Sequence, residues 1–127
     1  MSGAPAPLVL VVEDSDAIRA AFTILLEESG YAVAAAATGA EAVRLAEART
    51  PDLVLLDLGL PDLPGLEVAR RIKAAASTLP IVALTGRDDP SDRDALLAAG
   101  CAAYLVKPVD TQALIRALPG YIASAAV

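Results

Sequence analysis

The chain contains no histidine. This excludes a catalytic histidine, a histidine metal ligand and a phosphohistidine carried by the chain itself. It has one cysteine, Cys101, which excludes an internal disulfide and a metal-thiolate cluster. Cys101 follows Gly100 and precedes a strand-like run, so we interpret it as a small buried hydrophobic residue.

Long apolar runs and excess positive charge are also lacking. No apolar run approaches the ~20 residues that span a bilayer, and residues 1–7 lack the basic start of a signal peptide. We therefore expect a cytoplasmic protein without a membrane partner. Ten basic and 16 acidic residues give a net charge of −6, which argues against direct binding of nucleic acid.

The length and patterning predict one α/β domain. The chain has 127 residues, of which 56% are hydrophobic, so one core is expected after a mobile lead-in at residues 1–7. Short apolar runs alternate with helical patterns five times, which predicts a parallel sheet with helices on both faces. The predicted strands are residues 8–12, 31–36, 53–56, 81–84 and 102–106.

Capping residues indicate where the helices begin and end. Thr38 and Glu41 form a capping box before the second helix, and Asp89-Pro90 supply an N-cap and a first-turn proline for the fourth. The first helix carries the apolar stripe Ile18, Phe22, Leu25 and Leu26. Pro119-Gly120 is expected to break or end the last helix, which Asp110 caps and to which residues 121–127 add a further turn.

Polar residues follow four of the five predicted strands: Glu13-Asp14, Asp57, Thr85 and Lys107. Strand ends on one edge of a parallel sheet lie side by side, so these residues are expected to meet. Two carboxylates ~5 Å apart repel by roughly 3 kcal/mol at an effective dielectric near 20, unless one is protonated or a cation joins them. Oxygen ligands without histidine or cysteine favour magnesium, manganese or calcium.

The same residues fit phosphoryl chemistry. An aspartate can act as a nucleophile and form an aspartyl phosphate, and Asp57 lies between apolar residues, where a carboxylate needs a counter-charge or metal. Lys107 could neutralise phosphoryl oxygens and Thr85 could donate a hydrogen bond to one. Taken alone, each has an ordinary alternative: residues 13–16 as a solvated turn that caps the first helix, Thr85 as a strand-end hydroxyl, and Lys107 as a solvated lysine.

The ordered set resembles the receiver domains of two-component response regulators. It comprises Glu13-Asp14, the run from Asp57 to Pro61 with Gly65, Leu84-Thr85-Gly86, and Lys107-Pro108. The resemblance implies a doubly wound, flavodoxin-like sheet of order 2-1-3-4-5, with residues 8–127 as the receiver domain. It also implies a signalling phosphoacceptor, which is not an enzyme beyond catalysing its own phosphorylation and dephosphorylation.

The resemblance implies a role for each site residue. Asp57 accepts the phosphoryl group, and Mg²⁺, or Mn²⁺ in its place, is held by Asp14, Asp57 and the Gly59 carbonyl, with Glu13 acting through water. Lys107, Thr85 and Gly86 bind the phosphoryl group. Thr85 and Tyr104 form the switch, in which Tyr104 turns inward behind Thr85, and the Lys107-Pro108 bond is cis.

The donor implied is a sensor histidine kinase, a histidine phosphotransfer protein or a small phosphodonor such as acetyl phosphate, and the output is a downstream protein target. Gly86 stands where alanine is common and leaves the site more open. Gly59 and Arg87 occupy positions that tune aspartyl-phosphate lifetime. Pro119 falls on a helix that many receivers use to dimerise, so we assign no dimer mode.

Three alternatives belong to other classes. Asp14-Ser15-Asp16 resembles the nucleophile motif of haloacid-dehalogenase-type phosphatases, with Asp14 as the acceptor, although Asp88-Asp89 precede Lys107 rather than follow it. A flavin-binding domain of similar topology is the second, but its phosphate loop needs free backbone N–H groups without acids nearby, and residues 13–16 carry three acids at that place. A receiver-like binding module that works without phosphorylation is the third.

Overall fold

The computed structural model describes residues 5–125 and forms a parallel sheet covered by helices. The strands are β1 (Leu8–Val12), β2 (Ala32–Ala36), β3 (Leu53–Asp57), β4 (Ile81–Thr85) and β5 (Ala103–Val106). The helices are α1 (Asp16–Glu28), α2 (Gly39–Arg49), α3 (Gly65–Ala75), α4 (Pro90–Ala98) and α5 (Thr111–Ala125). The strand order is β2-β1-β3-β4-β5, and every pairing is parallel. The predicted fold class and order are confirmed.

The core has two parts, one on each face of the sheet. Alternate residues of a strand point to opposite faces, so along β1 Leu10 packs with α2, α3 and α4, whereas Val9 packs with α1 and α5. All residues of β3 and β4 are buried, as expected for central parallel strands. Ile18 of the predicted α1 stripe is instead 40% exposed.

Helix caps explain several element boundaries. Thr38 Oγ1 accepts from the Glu41 N–H (3.1 Å), and Glu41 Oε1 accepts from the Ala37 N–H (2.9 Å) rather than from that of the cap residue. Asp89 accepts from two N–H groups in the first turn of α4, with proline at its start. The N-caps of α2 and α4 were therefore predicted correctly, whereas the return bond of the α2 capping box goes to the residue before the cap.

The prediction that Pro119-Gly120 break or end the last helix is wrong. Proline removes one hydrogen bond of the helix ladder, yet α5 continues through Pro119 as one 15-residue helix. Leu118 before the proline is fully buried, and Tyr121 and Ile122 after it pack against the same part of the core. Burial on both sides of Pro119 therefore outweighs the lost bond.

The further turn expected after Gly120 is present as far as Ala125. Ala126 and Val127 lie outside the described residues, as do residues 1–4 of the predicted mobile lead-in.

Cys101 is a buried residue, as expected. It is 6% exposed and packs in the core, and burial raises its thiol pKa to about 11. The thiolate, not the thiol, is the nucleophile and metal ligand. Because the raised pKa keeps Cys101 protonated at neutral pH, its surroundings favour a packing role. Across residues 5–125, no helix combines the length and the apolar character needed to cross a membrane.

Candidate functional site

The carboxyl ends of four strands meet at one edge of the sheet. The register pairs Val12 with Leu56, Asp57 with Leu84 and Thr85 with Val106. The residues that end or follow β1, β3, β4 and β5 therefore lie side by side at the carboxyl edge of the sheet. This geometry places the five predicted residues Glu13, Asp14, Asp57, Thr85 and Lys107 along one edge.

Three carboxylates form the centre of the site. Glu13, Asp14 and Asp57 each offer an oxygen atom, and these atoms all lie within 4.8 Å of one another. Glu13 is 4% and Asp57 7% exposed, whereas Asp14 lies at the surface. Oxygen ligands of this kind suit Mg²⁺, Mn²⁺ or Ca²⁺, and the exposed Asp14 leaves an open side. The donor set therefore fits a hard divalent cation that a second group can approach.

Lys107 is the ammonium that partly balances these acids. Its Nζ lies 3.1 Å from Glu13 Oε1 and 3.4 Å from Asp57 Oδ1. Its backbone N–H donates to the Thr85 carbonyl (2.7 Å), and the Lys107-Pro108 bond is cis. Three carboxylates and one ammonium give −3 + 1 = −2. The cluster keeps an excess of negative charge that a divalent cation would cancel.

Burial and mutual repulsion disturb the titration of these groups. Burial raises the pKa of Glu13, and the Asp57 charge adds to this, against the lowering effects of the Ser15 N–H and Lys107. Burial lowers the pKa of Lys107, but the hydrogen bond to Glu13 and the charge of Asp57 outweigh it, so the net direction is upward. Lys107 is thus held as a cation beside acids that are crowded together.

The loop after β1 is held by contacts to Glu13. The Ser15 N–H donates to Glu13 Oε2 (3.1 Å), and Arg19 donates from its guanidinium to the Glu13 carbonyl (2.8 Å). Arg19 also pairs with Asp16. Arg19 was not predicted as a site residue, because a basic residue one turn into a helix carries no local sign that its side chain reaches back to the preceding loop.

The loop after β3 places Gly59 beside the buried acid. The Gly59 N–H donates to Asp57 Oδ1 (3.1 Å), and a Cβ on Gly59 would lie 3.7 Å from the same oxygen. At the far end of this loop, a Cβ on Gly65 would lie 3.0 Å from the Leu58 Cα. The loop therefore folds back on the residue that follows Asp57, and only glycine allows that approach.

The candidate switch residues meet at one carbonyl. Thr85 Oγ1 donates to the Arg87 carbonyl (3.2 Å) and accepts from the Arg87 N–H (3.1 Å). The Tyr104 hydroxyl donates to the same carbonyl (3.0 Å) and accepts from the Asp89 N–H (3.3 Å). The Arg87 backbone thus connects the two residues. Arg87 and Gly86 are exposed, and a Cβ on Gly86 would find no atom within 4 Å.

Family and sequence comparisons agree with this arrangement. A family model described as the response regulator receiver domain matches residues 9–119. The transcriptional regulatory protein AfsQ1 of Streptomyces coelicolor is 43% identical over 108 residues, which is 85% of this chain and 48% of AfsQ1. The transcriptional regulatory protein KdpE of Mycobacterium tuberculosis is 44% identical over 101 residues, or 80% of this chain and 44% of KdpE. The chain spans about half the length of these relatives.

Solved structures show the same fold. A CheY-like receiver domain protein from Methanospirillum hungatei has a TM-score of 0.91 at 28% identity, covering 94% of this chain and 96% of that one. The receiver domain of the sensor histidine kinase PA1611 from Pseudomonas aeruginosa has a TM-score of 0.83 at 36% identity, covering 93% and 98%. That domain was solved with a magnesium ion coordinated in its active site cleft.

Proposed function

The chain belongs to the response regulator receiver domain family, and on this premise we propose that Asp57 accepts a phosphoryl group. The donor in this proposal is a phosphohistidine of a sensor histidine kinase or a histidine phosphotransfer protein. That histidine lies outside this chain, which has none. The observation that carries the proposal is a buried Asp57 carboxylate 3.4 Å from Lys107 within a group of three acids. Residues 8–127 form the receiver domain in this proposal.

Asp57 is better placed than its neighbours to be the nucleophile. Its Oδ1 accepts from the Gly59 N–H and lies near Lys107 Nζ, which fixes the orientation of the carboxylate. We assign Oδ2 to attack phosphorus, so that an Asp57 Oδ2–P bond forms as the P–N bond to the donor imidazole breaks. The imidazole leaves with the electron pair of that bond. Positioning of this kind is the main protein contribution in phosphoryl transfer.

Receiver domains bind Mg²⁺ at an acidic pocket, and the donor set here fits that ion. We assign Asp14, Asp57 and the Gly59 carbonyl as its ligands, with Glu13 acting through water and Mn²⁺ as a substitute. The bound cation supplies positive charge, which takes the group from −2 to zero. Both Glu13 carboxylate oxygens already accept hydrogen bonds, Oε2 from the Ser15 N–H and Oε1 from Lys107 Nζ, which supports its action through water.

The remaining residues bind the product and report its presence. Lys107 Nζ pairs with a phosphoryl oxygen, and the Thr85 hydroxyl and the Gly86 backbone donate to others. For this, Thr85 must release the Arg87 carbonyl, which the Tyr104 hydroxyl also occupies. Phosphorylation would thereby change the loop between β4 and α4 and the position of Tyr104. Gly59 and Arg87 tune the lifetime of the aspartyl phosphate.

The output is control of a partner protein. AfsQ1 and KdpE are transcriptional regulators about twice as long as this chain, so the receiver of this protein either contacts a separate target or acts on a domain in the same polypeptide. Its net charge of −6 favours protein contact over direct contact with nucleic acid.

The deciding experiment uses acetyl phosphate and Mg²⁺ as the probe. Wild type is expected to gain one phosphoryl group by intact mass, Asp57→Ala none, and Asp88→Ala, a change at an exposed acid, the wild-type amount. Borohydride reduction and peptide mapping should locate the modification at Asp57. Equal uptake by wild type and Asp57→Ala refutes the assignment. Modification at Asp14 would support the phosphatase alternative, and binding of a partner without any uptake would support the binding module.

A further inference from the structure

One side chain joins the loop after β3 to a helix distant in sequence. Asp62 Oδ1 accepts from the Gly39 N–H (2.8 Å), and Asp62 Oδ2 accepts from the Ala40 N–H (3.0 Å). These are the first two residues of α2, whose N–H groups have no partner inside the helix. The third, Glu41, donates to Thr38 Oγ1. Asp62 therefore completes the N-terminus of α2 from another part of the chain.

Close packing accompanies these hydrogen bonds. A Cβ on Gly39 would lie 2.7 Å from Val68 Cγ2 and 3.1 Å from Leu63 Cβ, so the start of α2 rests directly on the end of this loop. The Asp62 carboxylate itself is exposed, and the Ala40 and Gly39 N–H groups lower its pKa. The Asp62 carboxylate thus clamps the loop to the start of α2 by two charged hydrogen bonds, beside the apolar packing of Gly39 on Leu63 and Val68.

The clamped loop is the one that begins at Asp57. Leu58, Leu60 and Leu63 all pack against the core, and Gly65 folds back onto Leu58. Gly59, between the first two leucines, donates to Asp57 Oδ1. Residues 58–63 thus form a short segment packed on the core, through which a displacement at residue 62 would reach the backbone of Gly59.

We propose that Asp62 is a positioning residue for the metal site: by clamping the loop after β3 onto α2, it holds the Gly59 carbonyl where a cation would bind. This rests on the proposed function, in which that carbonyl is a ligand. Loss of a residue that orients a ligand typically weakens metal binding 10–100-fold. Because Asp62 is exposed and acts through a backbone, we expect the lower end, about 10-fold.

The test compares two caps of the same helix. Asp62→Ala and Thr38→Ala each remove an acceptor from the start of α2, but only Asp62 belongs to the loop that carries Gly59. The measurements are the Kd for Mg²⁺ by calorimetry and the amide exchange rate of Gly59 in metal-free protein by NMR. The exchange rate reports the loop without any reaction.

For Asp62→Ala we expect about 10-fold weaker Mg²⁺ binding and faster amide exchange at Gly59. Thr38→Ala should change neither quantity by more than about twofold, because the Thr38 hydroxyl bonds the Glu41 N–H within α2, whereas Asp62 connects α2 to the loop. Asp62→Asn, which retains one carbonyl acceptor, should be intermediate and serves if the alanine variant folds poorly.

Two results would overturn the inference while the proposed function stands. One is unchanged Mg²⁺ affinity and Gly59 exchange in Asp62→Ala. The other is an equal loss in Thr38→Ala and Asp62→Ala, which makes Asp62 a helix cap only. Failure of wild type to bind Mg²⁺ overturns the proposed function and this inference together, and it is recognised before any substitution is made.

Discussion

Gly65→Ala should destabilise the fold and impair the site together. The added Cβ would lie 2.4 Å from Leu58 Cδ2, 3.0 Å from the α-carbon of Leu58 and 3.1 Å from its Cβ, against about 3.5–4.0 Å for a comfortable approach of two carbon atoms. The clash with Cδ2 can be relieved by rotating the leucine side chain. The clash with the α-carbon requires the backbone to move, so the strain persists after repacking.

The magnitude follows from two opposing effects. Overpacking of this kind costs about 1–3 kcal/mol, whereas alanine is favoured over glycine in a helix by up to about 1 kcal/mol. Gly65 is the first residue of α3, where only part of that gain applies. We expect a net loss of about 1–2 kcal/mol, which lowers the Tm of a domain of this size by about 3–10 °C.

The backbone shift at Leu58 should also slow phosphorylation of Asp57. The Leu58 N–H donates to the Leu84 carbonyl (2.9 Å), and Leu58 directly follows Asp57. Moving this backbone disturbs the carboxylate and Gly59, so phosphorylation by acetyl phosphate should slow by more than the fraction of unfolded protein explains. Misplacement by about 1 Å can cost on the order of 100-fold in rate.

Gly86→Ala is the matched control, because its Cβ would meet no atom within 4 Å and Gly86 lies beside Thr85 at the same sheet edge. It should be neutral or stabilising by about 0.4–1 kcal/mol. Urea unfolding and single-turnover phosphorylation of both variants are the assays. The packing argument is refuted if Gly65→Ala unfolds at the same urea concentration as wild type and is phosphorylated at the wild-type rate.

Three further predictions concern other parts of the chain. Lys107→Ala should keep Mg²⁺ binding but lose the phosphorylation-driven change at Tyr104 seen by NMR, and unchanged Tyr104 signals in phosphorylated wild type would contradict the switch. Cys101, with a pKa of about 11, should resist a thiol reagent at neutral pH until denaturant is added, and rapid labelling of the folded protein would count against its burial. Pro119→Ala should raise the free energy of unfolding by about 1–3 kcal/mol, since it restores a helix hydrogen bond. An unchanged free energy of unfolding in urea would contradict the idea that Pro119 costs α5 a hydrogen bond.

The fold and the site were predictable where each signal was local. Every residue proposed to bind the cation or the phosphoryl group ends or closely follows a strand, and parallel strands bring their carboxyl ends to one edge. A reader of the sequence needs only the strand positions to bring Glu13, Asp57 and Thr85 together. The same holds for caps such as Thr38, whose partner lies three residues away.

What sequence reasoning missed depends on tertiary contacts. Propensity ends the last helix at Pro119, but the burial of Leu118 and Ile122 on either side overrides it. The periodicity of α1 predicts a buried Ile18, yet this residue in the first turn of α1 is 40% exposed. Neither outcome can be read from the residues nearby, because each depends on what another element covers.

The site therefore has two kinds of determinant. Residue types at the strand ends decide which chemistry is available, and these are visible along the sequence. Their relative positions depend on contacts such as Lys107 with Glu13, separated by 94 residues, and Asp62 with Gly39, separated by 23. Since an exposed aspartate resembles any other in the sequence, only the structure distinguishes Asp62 from the many surface acids. On the inference drawn for Asp62, a residue that holds a loop in place would affect metal binding without contributing a ligand atom.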